Sequence, residues 1–514
     1  MLPLLKNWCF AALVSYAAAA TRKTDLVISN AVIAPDGFSR SAIVVNGIQP
    51  GSLITANKGD RLQINLKNQL TDESMNKSTS VHWHGIFQEH SNSFDGTAFV
   101  TQCPIAPGDS FLYNFQVQNQ AGTFWYHSHF NLQYCEGLRG GLIIYDPEDP
   151  YRDLYDVDDS STVITLMDWY HANAYDVGPA DSPSAILING MGRYPDGPNT
   201  TLSVTNVEHG KRYRIRLINM ACKPHMIFSI DNHNFTIIEA DGEATLPHTI
   251  DTLPIYVGQR YSIILEANQP IDNYWIRALP EGFPSNFTNG LNSAILRYSG
   301  APEADPANRT QPTPNELSEA DLHARDNVVV PGLPYPGGAD ININLVGTLD
   351  NTTLEFFMNG FAYHPPDIPT LMQILSGARG IADLAAQGTV YTLPPNKVIE
   401  ISFPTEFLST PHPFHLHGHS FYVIRSAEST QYNYVDPVQR DTVNIGFNTD
   451  NVTIRFETNN AGPWMLHCHI DWHLQRGMAI IFAENPNGTA QNDPVNGAWK
   501  NLCPTYNSLS SLDQ

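Results

Sequence analysis

The residues with the most evident chemistry lie in the stretch 464–473, which reads WMLHCHIDWH. Cys468 stands between two histidines, and His473 follows it after five residues. A thiolate with two imidazoles and a weak axial thioether is the ligand set of a trigonal blue-copper site, and Met478 lies ten residues after the thiol. In a strand, the two flanking imidazoles point to the face opposite Cys468. This tripeptide can therefore bind one copper ion through sulfur and serve a second metal centre through its histidines.

The pattern His-x-His occurs three more times in the chain. Ten of the 19 histidines fall in these four clusters, which include His412 and His473. Because neutral imidazole is the commonest metal ligand, this clustering predicts a centre that holds several metal ions. The four pairs are His82 and His84 in VHWHG, His127 and His129 in FWYHSHF, His415 and His417 in HPFHLHGH, and His467 and His469 around the thiol.

The four clusters, in this order, resemble the copper signatures of multicopper oxidases. The rest of the chain, after its first 20 or so residues, most resembles fungal laccases over nearly its whole length. The resemblance implies four copper ions: one type 1, one type 2 and two type 3. The implied ligands are His82 and His415 for type 2; His84, His127 and His469 for one type 3 ion; His129, His417 and His467 for the other; and His412, Cys468 and His473, with Met478 axial, for type 1.

This likeness implies a benzenediol:oxygen oxidoreductase that takes single electrons from phenols or aromatic amines and reduces O2 to water. Dioxygen needs four electrons, whereas phenols give up one at a time, and four copper ions can hold four. The donor would deliver its electron at the type 1 site through the exposed edge of His473. The electron would then cross Cys468 to the two histidines that are its covalent neighbours.

Two aspartates are candidates for moving protons or for orienting imidazoles. Asp95, in SFDG, matches an acidic residue that the family places near the trinuclear cluster, and Asp471 lies beside a cluster ligand. The alternative for each is a turn aspartate without a catalytic role. His419 points to the same strand face as His417 but matches no ligand of the family, so we do not expect it to bind copper.

The sequence departs from the laccase pattern at two positions. Many fungal laccases carry Phe or Leu at the axial position, where this chain has Met478. A thioether there predicts a low-potential type 1 copper, and packing of Met478 in the core is the alternative.

The second departure follows the cysteine that matches Cys222. Phenol-oxidising laccases often carry an aspartate there that accepts the phenolic proton. Lys223 stands there instead. Either another acid near His473 substitutes, or the preferred donor differs, or Lys223 is a plain surface lysine.

Length and composition point to a secreted globular protein. A chain of 514 residues suggests three domains. The net charge of −23 argues against nucleic acid or an anionic membrane as partner. Residues 1–20 combine Lys6, an apolar run and small residues up to Ala20, the pattern of a secretory signal peptide. No later stretch is long and apolar enough to span a membrane. We expect an extracellular, soluble monomer.

The cysteines and glycosylation sequons agree with secretion. Of six cysteines, Cys9 lies in the leader and Cys468 is assigned to copper. The other four allow three pairings, and an oxidising compartment favours disulfides. Resemblance to laccases favours Cys103–Cys503 and Cys135–Cys222. N-x-S/T sequons predict a glycosylated surface, and they begin at Asn76, Asn199, Asn234, Asn286, Asn308, Asn351, Asn451 and Asn487.

Short strand patterns separated by Gly, Pro and Asn predict an all-β protein. We place domain boundaries at 21–150, 151–317 and 318–514, with an acidic linker at 146–160 and the type 1 copper in the third domain. The first and third units echo each other: their two histidine clusters are 45 residues apart in one and 52 in the other, which indicates two copies of one ancestral fold. The family resemblance implies three consecutive cupredoxin-like Greek-key β-sandwich domains.

Two alternative functions stay open at this stage. The first is another multicopper oxidase, either a ferroxidase or an ascorbate oxidase-like enzyme. Membrane-bound fungal ferroxidases carry a C-terminal span, which we do not expect in this chain. An axial Met is shared with ascorbate oxidase-like enzymes, which keeps that alternative open. The second is a copper carrier, against which the eight cluster histidines argue. The chemistry fits lignin breakdown, pigment synthesis and detoxification equally.

Overall fold

The computed structural model describes residues 19–513, except 179–180, 224, 284, 308–313, 326–327, 387 and 407. Residues 1–18 of the expected leader and the sequon at Asn308 lie outside the described residues. Strands dominate the regular structure and form three successive pairs of large sheets, so the all-β prediction is confirmed. Among the described residues, no helix has the length and apolar character that crossing a membrane requires.

The first pair of sheets is built from the N-terminal part of the chain. Its sheets have the orders β2-β1-β4-β6 and β3-β8-β7-β5. In β4, every second side chain is buried, because successive side chains of a strand point to opposite faces. The strands are β1 (Thr21–Ile33), β2 (Arg40–Val45), β3 (Gly51–Asn57), β4 (Arg61–Gln69), β5 (Val81–His84), β6 (Ser110–Gln116), β7 (Gly122–Ser128) and β8 (Arg139–Tyr145).

The second pair of sheets has the orders β10-β9-β12-β17-β14-β15 and β11-β19-β18-β13-β16. Its strands are more continuously buried than those of the first unit, as β9 and β12 illustrate. The strands are β9 (Val163–Trp169), β10 (Ala185–Ile188), β11 (Val204–Val207), β12 (Arg212–Asn219), β13 (Met226–Ile230), β14 (Phe235–Ala240), β15 (Glu243–Ile250), β16 (Thr252–Ile255), β17 (Arg260–Glu266), β18 (Asn273–Pro280) and β19 (Ser293–Tyr298).

The third pair of sheets has the orders β20-β24-β29-β26-β27 and β23-β31-β30-β25-β28, with a small ribbon β21-β22 beside them. The strands are β20 (Ile341–Asn344), β21 (Gly347–Leu349), β22 (Phe356–Met358), β23 (Val390–Leu393), β24 (Val398–Pro404), β25 (Pro413–Leu416), β26 (Phe421–Arg425), β27 (Gln439–Arg440), β28 (Thr442–Asn444), β29 (Asn451–Glu457), β30 (Gly462–Cys468) and β31 (Ala479–Glu484). The helices are α1 (Thr370–Leu375), α2 (Asp471–Leu474), α3 (Pro486–Asn492) and α4 (Gly497–Asn507).

The first and third units share a strand arrangement in the sheets that carry the histidine clusters. In the first, β3 pairs in parallel with β8, followed by antiparallel β7 and β5; in the third, β23 pairs in parallel with β31, followed by antiparallel β30 and β25. Neighbours in these sheets are often distant in the sequence, as in Greek-key folds. The common order accounts for the echo between the two units in the sequence.

The C-terminal helix packs on the first unit, far from the strands that precede it. Trp499 in α4 is buried in the apolar core of the first pair of sheets, and its indole N–H donates to Thr101 O at 3.0 Å. A disulfide joins Cys103 to Cys503 in the same helix. The end of the chain is thus held against its beginning by burial and by a covalent bond.

Candidate metal centre

Two strand pairs place the histidine clusters, one in each outer unit. His82 lies opposite His127 where β5 pairs with β7, and His415 lies opposite His467 where β25 pairs with β30. In each case the histidines stand at or just beyond the ends of strands. Equivalent registers in the two sheets therefore present equivalent sets of imidazoles, which is the reason the four His-x-His pairs can meet.

The structure brings the eight paired histidines together between the first and third units. His82 stacks on His417 with ring centroids 4.0 Å apart, and His84 stacks on His415 at 3.7 Å. Contacts also run through ring nitrogens: the Nε2 atom of His467 lies 3.1 Å from Nε2 of His417 and 3.4 Å from Nε2 of His129. Each unit supplies half of the set, so the centre exists only when both are folded and docked.

The donor atoms fit metal ions. The Nε2 atoms of His82, His127 and His415 are buried and have no hydrogen-bond partner among the described residues. Buried polar atoms of this kind are rare in folded proteins unless something binds them. The groups whose ligand atoms lie within 4.8 Å of one another and that consist of histidines alone are His82, His415 and His417; His82, His84 and His127; and His129, His417 and His467. The last group has the members that the family resemblance implies for one type 3 ion.

Burial keeps these imidazoles in the neutral form that binds metals. Desolvation, together with the charges of neighbouring imidazoles, holds the pKa of His127, His467 and His469 well below the usual range. His84 and His417 behave in the same way, although a nearby carboxylate opposes the effect at each. These five imidazoles are therefore neutral donors at neutral pH.

Hydrogen bonds from Nδ1 fix the orientation of most of these rings. Nδ1 of His82, His127, His415 and His467 lies 2.8–3.0 Å from a main-chain carbonyl oxygen. With the proton on Nδ1, the lone pair of Nε2 is directed into the cluster. His84 differs, because its Nδ1 faces Nε2 of His469 at 3.1 Å.

Two buried carboxylates support the rings from opposite sides. Asp95 Oδ2 lies 2.9 Å from His417 Nδ1 and accepts from Thr97 Oγ1 at 2.7 Å. Burial alone would raise the pKa of Asp95, but His417 and His82 outweigh it and hold that pKa well below the usual range. Asp95 is therefore ionised at neutral pH, and its Oδ2 faces the ring of His417.

The second carboxylate, Asp441, was not predicted from the sequence. Its Oδ1 lies 3.2 Å from His84 Nε2 and 3.4 Å from His415 Nδ1. Both carboxylate oxygens also accept from Arg260. The sequence signal is the charged pair Arg440-Asp441 in a stretch of short strands. Arg440 ends β27, Asp441 lies between β27 and β28, and both side chains are buried in the structure.

A separate group lies on the other face of β30. Cys468 Sγ is 3.6 Å from Nδ1 of His412 and 3.7 Å from Nδ1 of His473, and the two imidazole nitrogens are 3.1 Å apart. Cys468 is the free cysteine of the described residues, and burial raises the pKa of its thiol. A metal ion is what would favour the thiolate in such surroundings. His412 is buried, whereas His473 is half-buried and presents an edge to solvent.

Met478 is fully buried and is held beside this group by main-chain bonds. Its carbonyl oxygen accepts from Cys468 N at 3.0 Å, and its N–H donates to His473 O at 3.0 Å. The methyl end of its side chain lies beside Gly347. The fold thus holds the main chain of Met478 against that of Cys468 and His473.

Asp471 and four of the clustered histidines line one cavity. The cavity has a volume of about 60 Å³, and the histidines are His127, His129, His467 and His469. Burial, and then the charge of Asp168, raises the pKa of Asp471 well above the usual range. Its Oδ2 lies 3.4 Å from the sulfur of Cys135.

The other predicted residues lie outside the metal-binding groups. His419 Nε2 is 2.8 Å from Glu484 Oε2, away from the clusters. Lys223 is half-buried, its ammonium donating to Asp181 O at 2.9 Å and lying 4.6 Å over the ring of Phe283. The disulfides Cys103–Cys503 and Cys135–Cys222 are the pairing that the family resemblance implied.

Comparison with known proteins places these features in context. Family models described as multicopper oxidase match residues 27–149, 160–301 and 363–488. The chain is 54% identical over 493 residues to a laccase of Phlebia radiata and 54% identical over 496 residues to laccase-4 of Trametes villosa, in each case with 95% of both chains covered. Among solved structures, it resembles the laccase of Botrytis aclada, with a TM-score of 0.84 and 33% identity over 96% of this chain and 93% of that one. It also resembles Fet3p, a multicopper oxidase that functions in iron import, with a TM-score of 0.82 and 28% identity over 95% of both.

Proposed function

Because the chain belongs to the multicopper oxidase family and is a laccase-type enzyme built from three cupredoxin-like domains, we propose which of its residues bind the copper ions and the donor. The reaction couples four one-electron oxidations to the reduction of one O2: four phenols and O2 give four phenoxyl radicals and two waters. The similarity to laccases favours this activity over that of a ferroxidase or an ascorbate oxidase.

We assign four copper ions to this chain. When bound, copper would supply the one-electron acceptor for the donor and the four-electron reductant for O2. The convergence of eight imidazoles from two units, seven of them buried and His129 half-buried, is the observation that carries the assignment. The residues that would hold them are His82 and His415 for the type 2 ion; His84, His127 and His469, and His129, His417 and His467, for the two type 3 ions; and His412, Cys468, His473 and Met478 for the type 1 ion.

The chain itself supplies the connection between the two groups of ligands. Cys468 is covalently bonded to His467 and His469, and in β30 its side chain faces the opposite side of the strand. The half-buried edge of His473 is the part of the thiol site that a donor in solution can touch. Oxidation and oxygen reduction are thus kept on different faces of one strand.

Protons have to reach the cluster because O2 reduction consumes four of them per turnover. The pKa of Asp471 is raised well above the usual range, and Asp471 lines the cavity that reaches His129 and His467. We propose it as a proton donor on the cavity side. Asp95 is ionised and holds His417 through Oδ2, so we assign it the role of orienting that ring.

We also propose that the protein is secreted as a glycosylated monomer. Two disulfides support an oxidising compartment. Sequon asparagines that are accessible to glycosylation enzymes support passage through the secretory route. The exposed ones are Asn199, Asn234, Asn286, Asn351 and Asn487, and the half-buried ones are Asn76 and Asn451.

Oxygen uptake by the purified, copper-loaded protein tests the function. The donors are a diphenol, a methoxyphenol, ascorbate and ferrous iron, with peroxide release followed in parallel. We expect fast uptake with the phenols and no peroxide; uptake confined to iron or ascorbate would overturn the assignment. In the same preparations, His415→Ala should lose copper, whereas the matched control His209→Ala, an exposed histidine outside the clusters, should retain it.

A further inference from the structure

The support of His417 differs from that of most other histidines of the cluster. Four of the paired histidines present Nδ1 to a main-chain carbonyl oxygen, whose position the backbone itself fixes. At His417 the acceptor is a side chain, because Asp95 Oδ2 lies 2.9 Å from its Nδ1. A carboxylate can rotate about its side-chain bonds. Its position therefore has to be held by another group, and that group lies in the loop after Asp95.

The hydroxyl of Thr97 contacts both members of this pair. Its Oγ1 donates to Asp95 Oδ2 at 2.7 Å and lies 3.3 Å from Nδ1 of His417. A hydroxyl has one proton, so an Oγ1 that donates to Asp95 faces His417 as an acceptor. Both groups beside Nδ1 are then acceptors, and the ring proton is held on Nδ1. Nε2 keeps its lone pair for the cluster, where it lies 3.1 Å from Nε2 of His467.

The main chain of Thr97 is held on both sides along the sequence. Thr97 N donates to the hydroxyl of Thr101 at 3.1 Å, and the same hydroxyl donates to Thr97 O at 3.3 Å. Both threonines are fully buried, so water does not compete for these bonds. Before Thr97, Gly96 has a φ of +84° and lies so close to β5 that a Cβ there would collide with Val81 O. Thr97 therefore has little freedom to move.

Two helices from the C-terminal part of the chain hold the turn 97–101 from outside. Val100 O accepts from Leu371 N, in the first turn of α1, at 2.8 Å. The first N–H groups of a helix lack partners within it, so this bond serves the helix as well as the turn. Thr101 O accepts from the indole N–H of Trp499, in α4, at 3.0 Å. The disulfide at Cys103 ties the end of the loop to the same helix.

We propose that Thr97 is a positioning residue of the histidine cluster: its hydroxyl holds Asp95 and His417 together, and Thr101 and Trp499 hold Thr97. The inference rests on the proposed copper assignment and deepens it, because it names what sets the orientation of one cluster ligand. Without the hydroxyl, Asp95 Oδ2 loses a donor and His417 keeps one acceptor instead of two. Copper then binds more weakly at the cluster. The thiol site, on the other face of β30, is unaffected.

Chelator titration of the copper-loaded protein tests this role, because it follows the two sites separately. Metal analysis gives the total bound copper, and blue absorption gives the copper bound to the Cys468 thiolate. We expect Thr97→Val to weaken copper binding at the cluster about tenfold, while the blue absorption is lost at an unchanged chelator concentration. Thr97→Ser keeps the hydroxyl and should retain the affinity. The matched control is Thr458→Val, which removes a buried hydroxyl that donates to Pro394 O at 2.7 Å; both affinities should stay unchanged.

Two further variants follow the support outwards and decide the inference if Thr97→Val does not fold. Thr101→Val removes the hydroxyl that holds Thr97, and Trp499→Phe keeps an aromatic ring in the core but removes its N–H. Both should weaken the cluster in the same direction and by a smaller factor, again without changing the thiol site.

Three results would contradict the positioning role while leaving the proposed function intact. They are an unchanged cluster affinity in all three variants, an equal loss at the two sites, and a failure of Thr97→Ser to retain the affinity. An unsubstituted protein that binds copper at the thiol site alone would instead refute the copper assignment. The two failures are distinguishable because the second appears without any substitution.

Discussion

Arg260 is the residue whose removal should cost the fold most, because it joins all three units at a fully buried point. Its Nη1 and Nη2 donate to the two carboxylate oxygens of Asp441 at 2.7 and 2.6 Å. Its Nε donates to Thr123 O at 2.9 Å, and Nη2 donates to Asp241 O at 3.1 Å. Arg260 is 0% exposed. Arg260→Met keeps the length of the side chain and removes every one of these donors.

The expected loss is large because a buried carboxylate is left without its partner. Breaking one side of a buried ion pair costs about 3–5 kcal/mol, and an unsatisfied buried carbonyl adds roughly 1 kcal/mol or more. We therefore expect the free energy of unfolding to fall by about 5 kcal/mol at pH 7. The matched control is Arg22→Met, which breaks a pair with Asp60 at 2.7 Å in which the Arg22 side chain is 48% exposed; it should cost about 0.2–1 kcal/mol.

The loss should also depend on pH in a defined direction. Burial by itself raises the pKa of Asp441, but Arg260 and then His84 outweigh it and hold that pKa well below the usual range. In the unsubstituted protein this aspartate thus stabilises the fold above the pKa of an unfolded aspartate, and the contribution is lost as pH falls below it. Without Arg260, burial dominates and the folded pKa rises, so the variant loses stability as pH increases above about 4.

Guanidinium unfolding of the copper-loaded proteins at pH 4 and pH 7 measures both effects. We expect the midpoint of Arg260→Met to fall much further below that of the unsubstituted protein at pH 7 than at pH 4. A loss no larger than that of Arg22→Met would refute the view that this buried pair holds the units together. An equal loss at both pH values would refute the assigned ionisation of Asp441.

Four further predictions concern single features of the site and the fold. Asp95→Asn should lower copper affinity by about 10- to 100-fold, because the ring of one ligand loses its charged acceptor; equilibrium dialysis measures this, and full retention would argue against the orienting role. Met478→Leu should raise the type 1 potential in a redox titration, and an unchanged value would rule out axial coordination. Lys223→Asp should improve phenol turnover at acidic pH by supplying a proton acceptor, whereas an unchanged pH profile would dismiss that idea. Replacing Cys103 and Cys503 together by Ser should cost about 2–5 kcal/mol of stability in denaturant unfolding, and no loss would show that burial alone holds the C-terminal helix.

Much of the site could be predicted from the chain itself because its pattern is local. The spacing of Cys468 between two histidines, together with the alternation of side chains in a strand, already separates a thiol site from a histidine cluster. The pairs His82/His127 and His415/His467 stand at matching registers because the two units repeat one strand order. The stretches 26–28, 42–45 and 61–66, whose apolar or alternating residues are typical of strands, fall within β1, β2 and β4.

Other features needed the tertiary structure. The stretch 146–160 was predicted as a linker, yet three of its aspartates pair with arginines of β12: Asp149 with Arg214, Asp156 with Arg212 and Asp158 with Arg216. The helix α4, which carries Cys503, was not predicted from the sequence. Its place is decided by the burial of Trp499 against the first unit.

The sequence by itself determined the types of the metal-binding residues and their distribution over strands, since strand geometry repeats every two residues and needs no distant partner. Asp95 was already a candidate from the family resemblance, but only the tertiary structure decided which rings it meets and that Asp441 lies beside the cluster. Asp441 reaches His84 across 357 residues of sequence, and Asp95 reaches His417 across 322. The same packing lowers the pKa of Asp95 and raises that of Asp471, because a carboxyl's pKa depends on the burial and the neighbours that folding gives it.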